Sequence, residues 1–382
     1  MTAFERLFVP DAFRDAVAER AWLDAMLDAE RALANAGSLV GVIPAAAAAA
    51  IAEQCDPSLY DADVLWEEGR AAGNPVEPLV RGLRERVGGE AASYVHLGAT
   101  SQDVLDTAAM LVSRSTAALL AGELDGLAAA CAGLAREHRS TAISARTLLQ
   151  QAVPTTFGAK AAGWLGGVLD ARALLEALRF PAQLGGAAGT LAALGPPGLE
   201  VLAAYAAELE LEEPALPWHA DRGPVAAIGA ALVRAAAVSA KIGADVVLLA
   251  QTEIGEVSPR EGGRSTAMPH KRNPVHAVLA RACARIVRAN VAVFSDGEHE
   301  HERAAGAWHA EWPALSTALA YAGGSAAAAR ACLEGLDVHP ERMGANLAED
   351  ERDVGSAESF VDRAASSTSR ITWYWSVGFL MR

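Results

Sequence analysis

The stretch from Gly262 to Pro274 carries the side chains in this sequence that are best suited to chemistry. Glycines at its start and prolines within it make a continuous helix unfavourable, so the stretch is predicted to be a loop. Its cations and hydroxyls are Arg264, Ser265, Thr266, His270, Lys271 and Arg272. Cations beside hydroxyls and free backbone N–H groups bind small anions, so the loop predicts a carboxylate or phosphate site. The alternative interpretation is a solvated basic turn.

A helix is expected directly after this loop. Asn273 suits the N-cap position and Pro274 suits the first helical position. The residues from His276 onward follow a helical period.

A second polar stretch runs from Tyr94 to Thr107, where His96 precedes the hydroxyls of Thr100 and Ser101. Asp103 lies at the capping-box spacing from Thr100, and helix capping alone would explain this pattern. The alternative is an anion site at a helix N-terminus, because the free N–H groups there attract negative charge.

A third polar stretch, from Ala145 to Gly158, carries polar groups beside a turn predicted at Pro154. These groups are Arg146, Thr147, Gln150 and Gln151. The pattern is compatible with a simple connection between two helices and equally with a binding segment.

Composition predicts an all-α protein. Hydrophobic residues make up 52% of the 382 residues and aromatic residues only 5%, with alanine dominant, which favours closely packed helices. Five long helical stretches are expected, at 102–139, 156–180, 224–256, 274–298 and 304–335. Helices that are apolar on more than one face indicate a bundle that packs against copies of itself.

Charge and cysteine usage restrict the partners and the compartment. A formal net charge of −15 argues against nucleic acid and anionic membranes as partners. The apolar run from Val225 to Ala250 is interrupted by Arg234 and Lys241, as in a buried bundle helix rather than a membrane span. Four separated cysteines and an N-terminus without a secretion signal predict a reduced, cytoplasmic protein.

The Gly262–Pro274 loop resembles the signature loop of the fumarase/aspartase superfamily, Gly-Ser-Ser-x-Met-Pro-x-Lys-x-Asn-Pro. The resemblance implies that Ser265, six residues before Lys271, exchanges a proton on the carbon next to a carboxylate. It also implies that Lys271 stabilises the charge that develops, and that Met268 and Asn273 bind substrate. Arg264 departs from the family's usual glycine.

The other two polar stretches are similar to the superfamily's first and second conserved segments. The similarity implies that Thr100, Ser101, Thr147 and Gln150 bind substrate, together with Arg303. His96 is implied as a catalytic residue that orients the substrate or supports it electrostatically.

Leu148 stands where many members of the superfamily have a histidine that protonates the leaving group. A carboxylate with a pKa of about 4 needs no proton to leave at neutral pH. A site that keeps the base and lacks the acid therefore suits a reaction in which a carboxylate joins or leaves carbon, as in lactone formation.

Further stretches resemble the 3-carboxy-cis,cis-muconate cycloisomerases of this superfamily. They are Arg146–Ala152 with Ala161–Trp164, Pro217–Arg222 and His299–Trp312. The expected reaction interconverts this small tricarboxylate and its γ-lactone in protocatechuate breakdown. The resemblance also implies that no cofactor is needed. The alternatives are an adenylosuccinate-lyase-like β-elimination and a catalytically inactive helical oligomer.

The resemblance implies three helical domains around a central five-helix bundle, in a homotetramer whose active sites are shared between subunits. The expected divisions are an N-terminal helical domain (1–101), the bundle (102–336) and a shortened C-terminal helical domain (337–382). His299 and His301, two apart on a predicted helix, would face different sides, so no metal site is expected there.

Overall fold

The computed structural model describes residues 4–263, 267–268, 271–297, 299–347, 353–364 and 366. Across these residues the architecture is helical, with two small two-stranded sheets, and the prediction of an all-α fold is confirmed. The three-domain division stays a prediction.

Long helices form the predicted bundle, although several are shorter than the sequence patterns that predict them. The bundle helices are α7 (Ser101–Glu137), α8 (Phe157–Glu176), α10 (Gly223–Leu249), α11 (Val275–Val291) and α12 (Ala307–Glu334). Shorter elements accompany them: α9 (Gly198–Glu208), α13 (Pro340–Ala345), β1 (Ala142–Thr147), β2 (Gln150–Thr156), β3 (Val257–Pro259) and β4 (Leu336–Val338).

Further helices precede the bundle. They are α1 (Glu5–Phe8), α2 (Asp11–Ala16), α3 (Glu19–Val40), α4 (Ala45–Gln54), α5 (Ala62–Ala72) and α6 (Val76–Val87). Of these helices, α2, α3 and α6 contact α7. α3 ends at Gly41, whose φ of 85° is a left-handed cap that glycine adopts without strain. Pro44 directly precedes α4 and is its N-cap.

Small residues allow the bundle helices to approach closely. A Cβ atom placed on Gly243 of α10 would lie 2.5 Å from the carbonyl oxygen of Ala277 on α11, so only glycine fits there. By length and composition alone α7 and α10 could cross a membrane, and both pack against other bundle helices, as core helices do.

Two opposite ends of the bundle can be defined by their residues. At the first, the Thr100 end, the start of α7 lies beside Arg303, which precedes α12. At the second, the hairpin end, β1 and β2 follow the end of α7, and β4, after α12, pairs with β3. Since α7 has 37 residues and a helix rises about 1.5 Å per residue, the two ends are about 55 Å apart.

A buried charge cluster lies inside the bundle near the Thr100 end. Arg222 is 1% exposed and pairs with Asp106 at 2.7 Å and with Glu311 at 2.7 Å. Asp106 also accepts a hydrogen bond from the Trp308 indole at 2.9 Å. The cluster joins α7, the start of α10 and α12.

Replacing Arg222 by Met leaves two buried carboxylates without their cation, so we expect the free energy of unfolding to fall by about 3–5 kcal/mol. The control is Arg234→Met, which breaks a 3.4 Å pair between exposed groups, Arg234 and Asp170, and should cost less than about 1 kcal/mol. Urea unfolding at one fixed protein concentration measures both. Equal losses in the two variants would contradict this account of the cluster.

Candidate active site

Asp103 organises the Thr100 end through hydrogen bonds that converge on its carboxylate. One oxygen, Oδ1, accepts from the Gly185 N–H at 2.9 Å and from His219 Nε2 at 2.6 Å. The other, Oδ2, accepts from the N–H groups of Thr100 and Gly186, each at 2.9 Å. With Asp103 only 1% exposed, these bonds tie the start of α7 to the glycine-rich loop that follows α8.

Thr100 is the N-cap of α7, and its backbone N–H donates to the Asp103 carboxylate, which is one half of a capping box. The capping predicted from the sequence is therefore confirmed. Ser101 is the first residue of the helix and is half-buried.

Arg303 lies directly on this assembly. Its Nη1 donates to the Thr100 hydroxyl at 2.7 Å, and its Nη2 donates to the carbonyl oxygens of Ala187 at 3.2 Å and Gly186 at 3.4 Å. Its Nε is buried without a partner, and none of the acidic side chains of the described residues forms an ion pair with it. A guanidinium held only by neutral oxygens keeps its charge available to an anionic ligand.

The loop containing Gly186 and Ala187 is part of the site that the sequence analysis missed. From the sequence, the run Leu184-Gly-Gly-Ala-Ala-Gly indicates only a break between helices. Its glycines are the feature that could have indicated a close backbone contact. A Cβ atom on Gly186 would lie 2.8 Å from the Gly98 carbonyl oxygen, and its φ is +70°. Glycine is needed here for both reasons.

His96 lies just before α7 in the sequence, and its side chain pairs with a buried acid on α3. Its Nδ1 is 2.5 Å from Oε1 of Glu30, whose side chain is fully buried. Burial by itself disfavours the imidazolium, but the charge of Glu30 and its hydrogen bond outweigh this, so the pKa of His96 is raised. His96 thus keeps its proton to higher pH than a free imidazole does.

The third polar stretch forms a β-hairpin, and the turn predicted at Pro154 is wrong. Pro154 lies inside β2, opposite Ser144, and the turn is made by Leu148 and Leu149 with φ of 50° and 64°. Two-residue turns of this kind normally use Asn-Gly, because left-handed backbone costs other residues about 1–2 kcal/mol each. Thr147 and Gln150 flank the turn and are exposed.

Contacts with distant residues hold this hairpin in place. Arg146 donates to both oxygens of Glu256 at 2.7 and 2.8 Å, and Asn346 donates to the same carboxylate at 2.9 Å. Gln151 donates to the Asn346 carbonyl oxygen at 2.6 Å. Because Glu256 immediately precedes β3, the hairpin is fixed to the strand that leads into the signature loop.

The base of the signature loop is closed by a pair of hydrogen bonds between Gly263 and Asn273, at 3.0 and 3.3 Å. A Cβ atom on Gly263 would lie 2.2 Å from Val275, so glycine is required there by space rather than by an unusual φ. The helix after the loop begins at Val275 with Pro274 as its N-cap, so the prediction that Asn273 is the N-cap is wrong. Asn273 closes the loop instead.

Within the loop, Met268 and Lys271 are described and exposed, with the Lys271 N–H donating to the Met268 carbonyl oxygen at 3.1 Å. Ser265, with Arg264, Thr266 and His270, lies outside the described residues. Its assignment as the base stays a prediction.

The expectation that His299 and His301 lie on a helix is wrong. His299 and His301 lie in the loop before α12 rather than on a helix. His299 Nε2 is 3.0 Å from Oε1 of Glu311, so this histidine joins the buried cluster around Arg222.

The structure divides the predicted site residues between the two ends of the bundle. His96, Thr100, Ser101 and Arg303 lie at the Thr100 end, whereas Thr147, Gln150, Met268, Lys271 and Asn273 lie at the hairpin end. With about 55 Å between the ends, one chain alone does not bring all of them together.

The fold and the site together define an enzyme of the fumarase/aspartase type, with long bundle helices and an uncompensated cation at a helix start. A family described as "Lyase" matches residues 8–288. The chain belongs to this lyase family.

Individual relatives carry different names. A nitrosuccinate lyase of Streptomyces davaonensis is 48% identical over 349 residues, 87% of this chain and 74% of that protein. A 3-carboxy-cis,cis-muconate cycloisomerase of Bradyrhizobium diazoefficiens is 44% identical over 360 residues, 91% of this chain and 80% of that protein. A solved 3-carboxy-cis,cis-muconate lactonizing enzyme from Pseudomonas putida has a TM-score of 0.89 at 33% identity, covering 97% of this chain and 99% of that chain.

Replacing Asp103 by Asn should loosen the glycine-rich loop, since an amide cannot accept from all four donors. Hydrogen–deuterium exchange in peptides spanning 183–189 should accelerate by about tenfold or more, because a bond to a charged acceptor contributes about 1.5–3 kcal/mol. The matched control is Asp125→Asn, on the same helix, whose partly exposed carboxylate pairs with Arg172 at 3.1 Å. Unchanged exchange in Asp103→Asn would contradict the role given to this carboxylate.

Proposed function

We propose that this chain is a cycloisomerase that interconverts 3-carboxy-cis,cis-muconate and its γ-lactone in protocatechuate breakdown. The observation that carries the proposal is the hairpin turn, where Leu148 stands at the position of the superfamily's proton-donating histidine. In lactone chemistry the group that leaves carbon is a carboxylate, which is stable as an anion without a proton. Relatives with this cycloisomerase name, at 44% identity, support the same reaction.

In the lactonising direction a carboxylate oxygen adds to a carbon of the conjugated diene. One C–O bond forms, and a proton is delivered to the carbon next to another carboxylate. Ser265 is the proposed donor of this proton and, in the reverse direction, its acceptor. Lys271 stabilises the enediolate-like charge that develops on that carboxylate. The step needs no redox partner, because the reaction is an isomerisation.

The remaining carboxylates of the substrate are assigned to the polar groups at both ends of the bundle. Arg303 supplies an unpaired cation and a free Nε–H, and Thr100 lies within hydrogen-bonding distance of it. Ser101, Thr147, Gln150, Met268 and Asn273 are proposed to complete the substrate contacts, with His96 as electrostatic support.

Since these residues lie at opposite ends of one chain, we infer that the working enzyme is a homo-oligomer with shared active sites, a homotetramer. The two exposed leucines at the hairpin turn are consistent with a segment that docks against another copy. The compartment proposed for this assembly is the cytoplasm.

A second candidate is elimination of nitrite from nitrosuccinate, favoured by the 48% identity to a nitrosuccinate lyase. Here Ser265 would remove a proton from the carbon next to a carboxylate, the C–N bond would break, and nitrite would leave with the bonding electrons to give fumarate. Nitrite, like a carboxylate, is stable as an anion, so Leu148 fits both reactions. An adenylosuccinate-type elimination fits less well, because its amine leaving group needs a proton donor.

The two candidates separate in a direct assay with each substrate. Lactonisation breaks the conjugated diene, so ultraviolet absorbance falls, whereas elimination from nitrosuccinate releases nitrite that can be measured by colour formation. We expect the larger kcat/KM with 3-carboxy-cis,cis-muconate. A larger value with nitrosuccinate would replace the proposed function by the second candidate.

Replacing Ser265 by Ala should lower turnover by at least about 10²–10⁴-fold, the usual contribution of a positioned acid–base group. Ser258→Ala is a control, because this hydroxyl is bonded to His339 at 2.8 Å, on β3 outside the loop. If Ser265→Ala retains turnover, with the product confirmed by chromatography, the assignment of Ser265 as the base is contradicted.

Shared sites predict complementation between inactive variants. Lys271→Met changes the hairpin end and Arg303→Met changes the Thr100 end, so subunits of both kinds can build some sites free of either change. Mixed after partial unfolding and refolding together, the two variants should regain part of the wild-type activity. No recovery in mixtures shown by mass spectrometry to contain both subunits would contradict sharing between the two ends.

A further inference from the structure

The chain uses lysine at only three positions, Lys160, Lys241 and Lys271, among 32 lysine and arginine residues. Lys160 on α8 and Lys241 on α10 face the same groove between these helices. Two cavities of about 390 and 440 Å³ lie along this groove, and Lys160, Lys241 and Asp245 line both. The pair of lysines has no part in the proposed reaction.

The acidic groups near Lys160 are already bound to other donors. Asp245 accepts from Lys241 Nζ through both oxygens at 2.5 Å and from the Trp164 indole at 2.7 Å. Glu256 accepts from Arg146 through both oxygens. Among the described residues, no carboxylate lies within ion-pair distance of Lys160.

Lys160 is therefore half-buried, has the cations Lys241 and Arg146 near enough to act on it, and forms no ion pair with any described residue. Burial is the main cause that lowers its pKa, and Lys241 and Arg146 lower it further, while Asp245 and Glu256 act in the opposite direction. A lysine that is desolvated beside other cations is more often neutral, and the neutral amine is a nucleophile.

We propose that Lys160 is the nucleophilic amine of a second, covalent site for small aldehydes that carry an anionic group. The neutral Nζ adds its electron pair to the carbonyl carbon, and the carbonyl electrons move to the oxygen, which takes up a proton. The resulting carbinolamine loses water to give an imine. No oxidant or reductant takes part.

The groove is lined by cationic and apolar side chains that can contact the anionic group and the carbon skeleton of such a ligand. Lys241 and Arg234, with side chains 62% and 38% exposed, stand at the groove where an anionic group of the ligand would meet solvent. Trp164 in one cavity and Leu248 in the other supply apolar wall for the carbon skeleton. The site is thus built for an anion attached to a short apolar body.

Pyridoxal 5′-phosphate is a suitable probe because it combines an aldehyde, a ring and a phosphate. The native full-length enzyme is incubated with it, the imine is fixed with borohydride, and peptides are mapped by mass spectrometry. We expect most of the label on Lys160, with Lys241 and Lys271 as internal controls in the same sample. Lys160→Arg should lose this label and leave labelling of the other two lysines unchanged.

The pH dependence of labelling tests whether Lys160 reacts because its amine is neutral at lower pH than an ordinary lysine. Because only the neutral amine reacts, labelling of Lys160 should level off at lower pH than expected for an ordinary lysine. Pyridoxal without the phosphate should label Lys160 more slowly. Equal labelling of the three lysines, or a Lys160 profile that follows an ordinary lysine near pKa of about 10.4, would overturn the proposal. These readouts do not depend on turnover, so they are separate from a failure of the cycloisomerase assignment.

Discussion

The carboxylate of Asp103 is the constraint on which the Thr100 end depends. Its four donors come from the start of α7, the glycine-rich loop and the segment before α10, three pieces that are far apart in sequence. Without this acceptor, three backbone N–H groups and a histidine would be buried unpaired. Once they are bound, Thr100 and Gly186 present oxygens to Arg303, and no acid in the described part of the chain pairs with its guanidinium. The structure thereby stabilises a cation and leaves its charge for a ligand.

The length of α7 imposes a second constraint. Thr100 and the Leu148–Leu149 turn lie on opposite sides of 37 helical residues, so the helix that orders both also keeps them apart. A second copy placed antiparallel would bring one chain's hairpin end to the other's Thr100 end. The exposed leucines in left-handed backbone fit the proposed docking of the hairpin against a neighbouring copy.

The sequence predicted those features whose causes are local. The capping by Asp103 follows from neighbouring residues, and the bundle follows from its alanine-rich helical periods. The hairpin turn could not be predicted, because Leu-Leu is a poor choice for left-handed backbone and is held there by Arg146 bound to Glu256, 110 residues away. The role of Gly186 was missed for the same reason, since its partner Arg303 is 117 residues distant. Asn273 fits an N-cap by local rules, but its bonds to Gly263 across the loop determine its place.

The most direct test of this account is a crystal structure of the Ser265→Ala variant with 3-carboxy-cis,cis-muconate bound. The account predicts one substrate carboxylate on Arg303, beside Thr100 of one subunit, and a hairpin turn from another subunit over the same substrate. A substrate bound entirely within one chain, or bound without contact to Arg303, would contradict it.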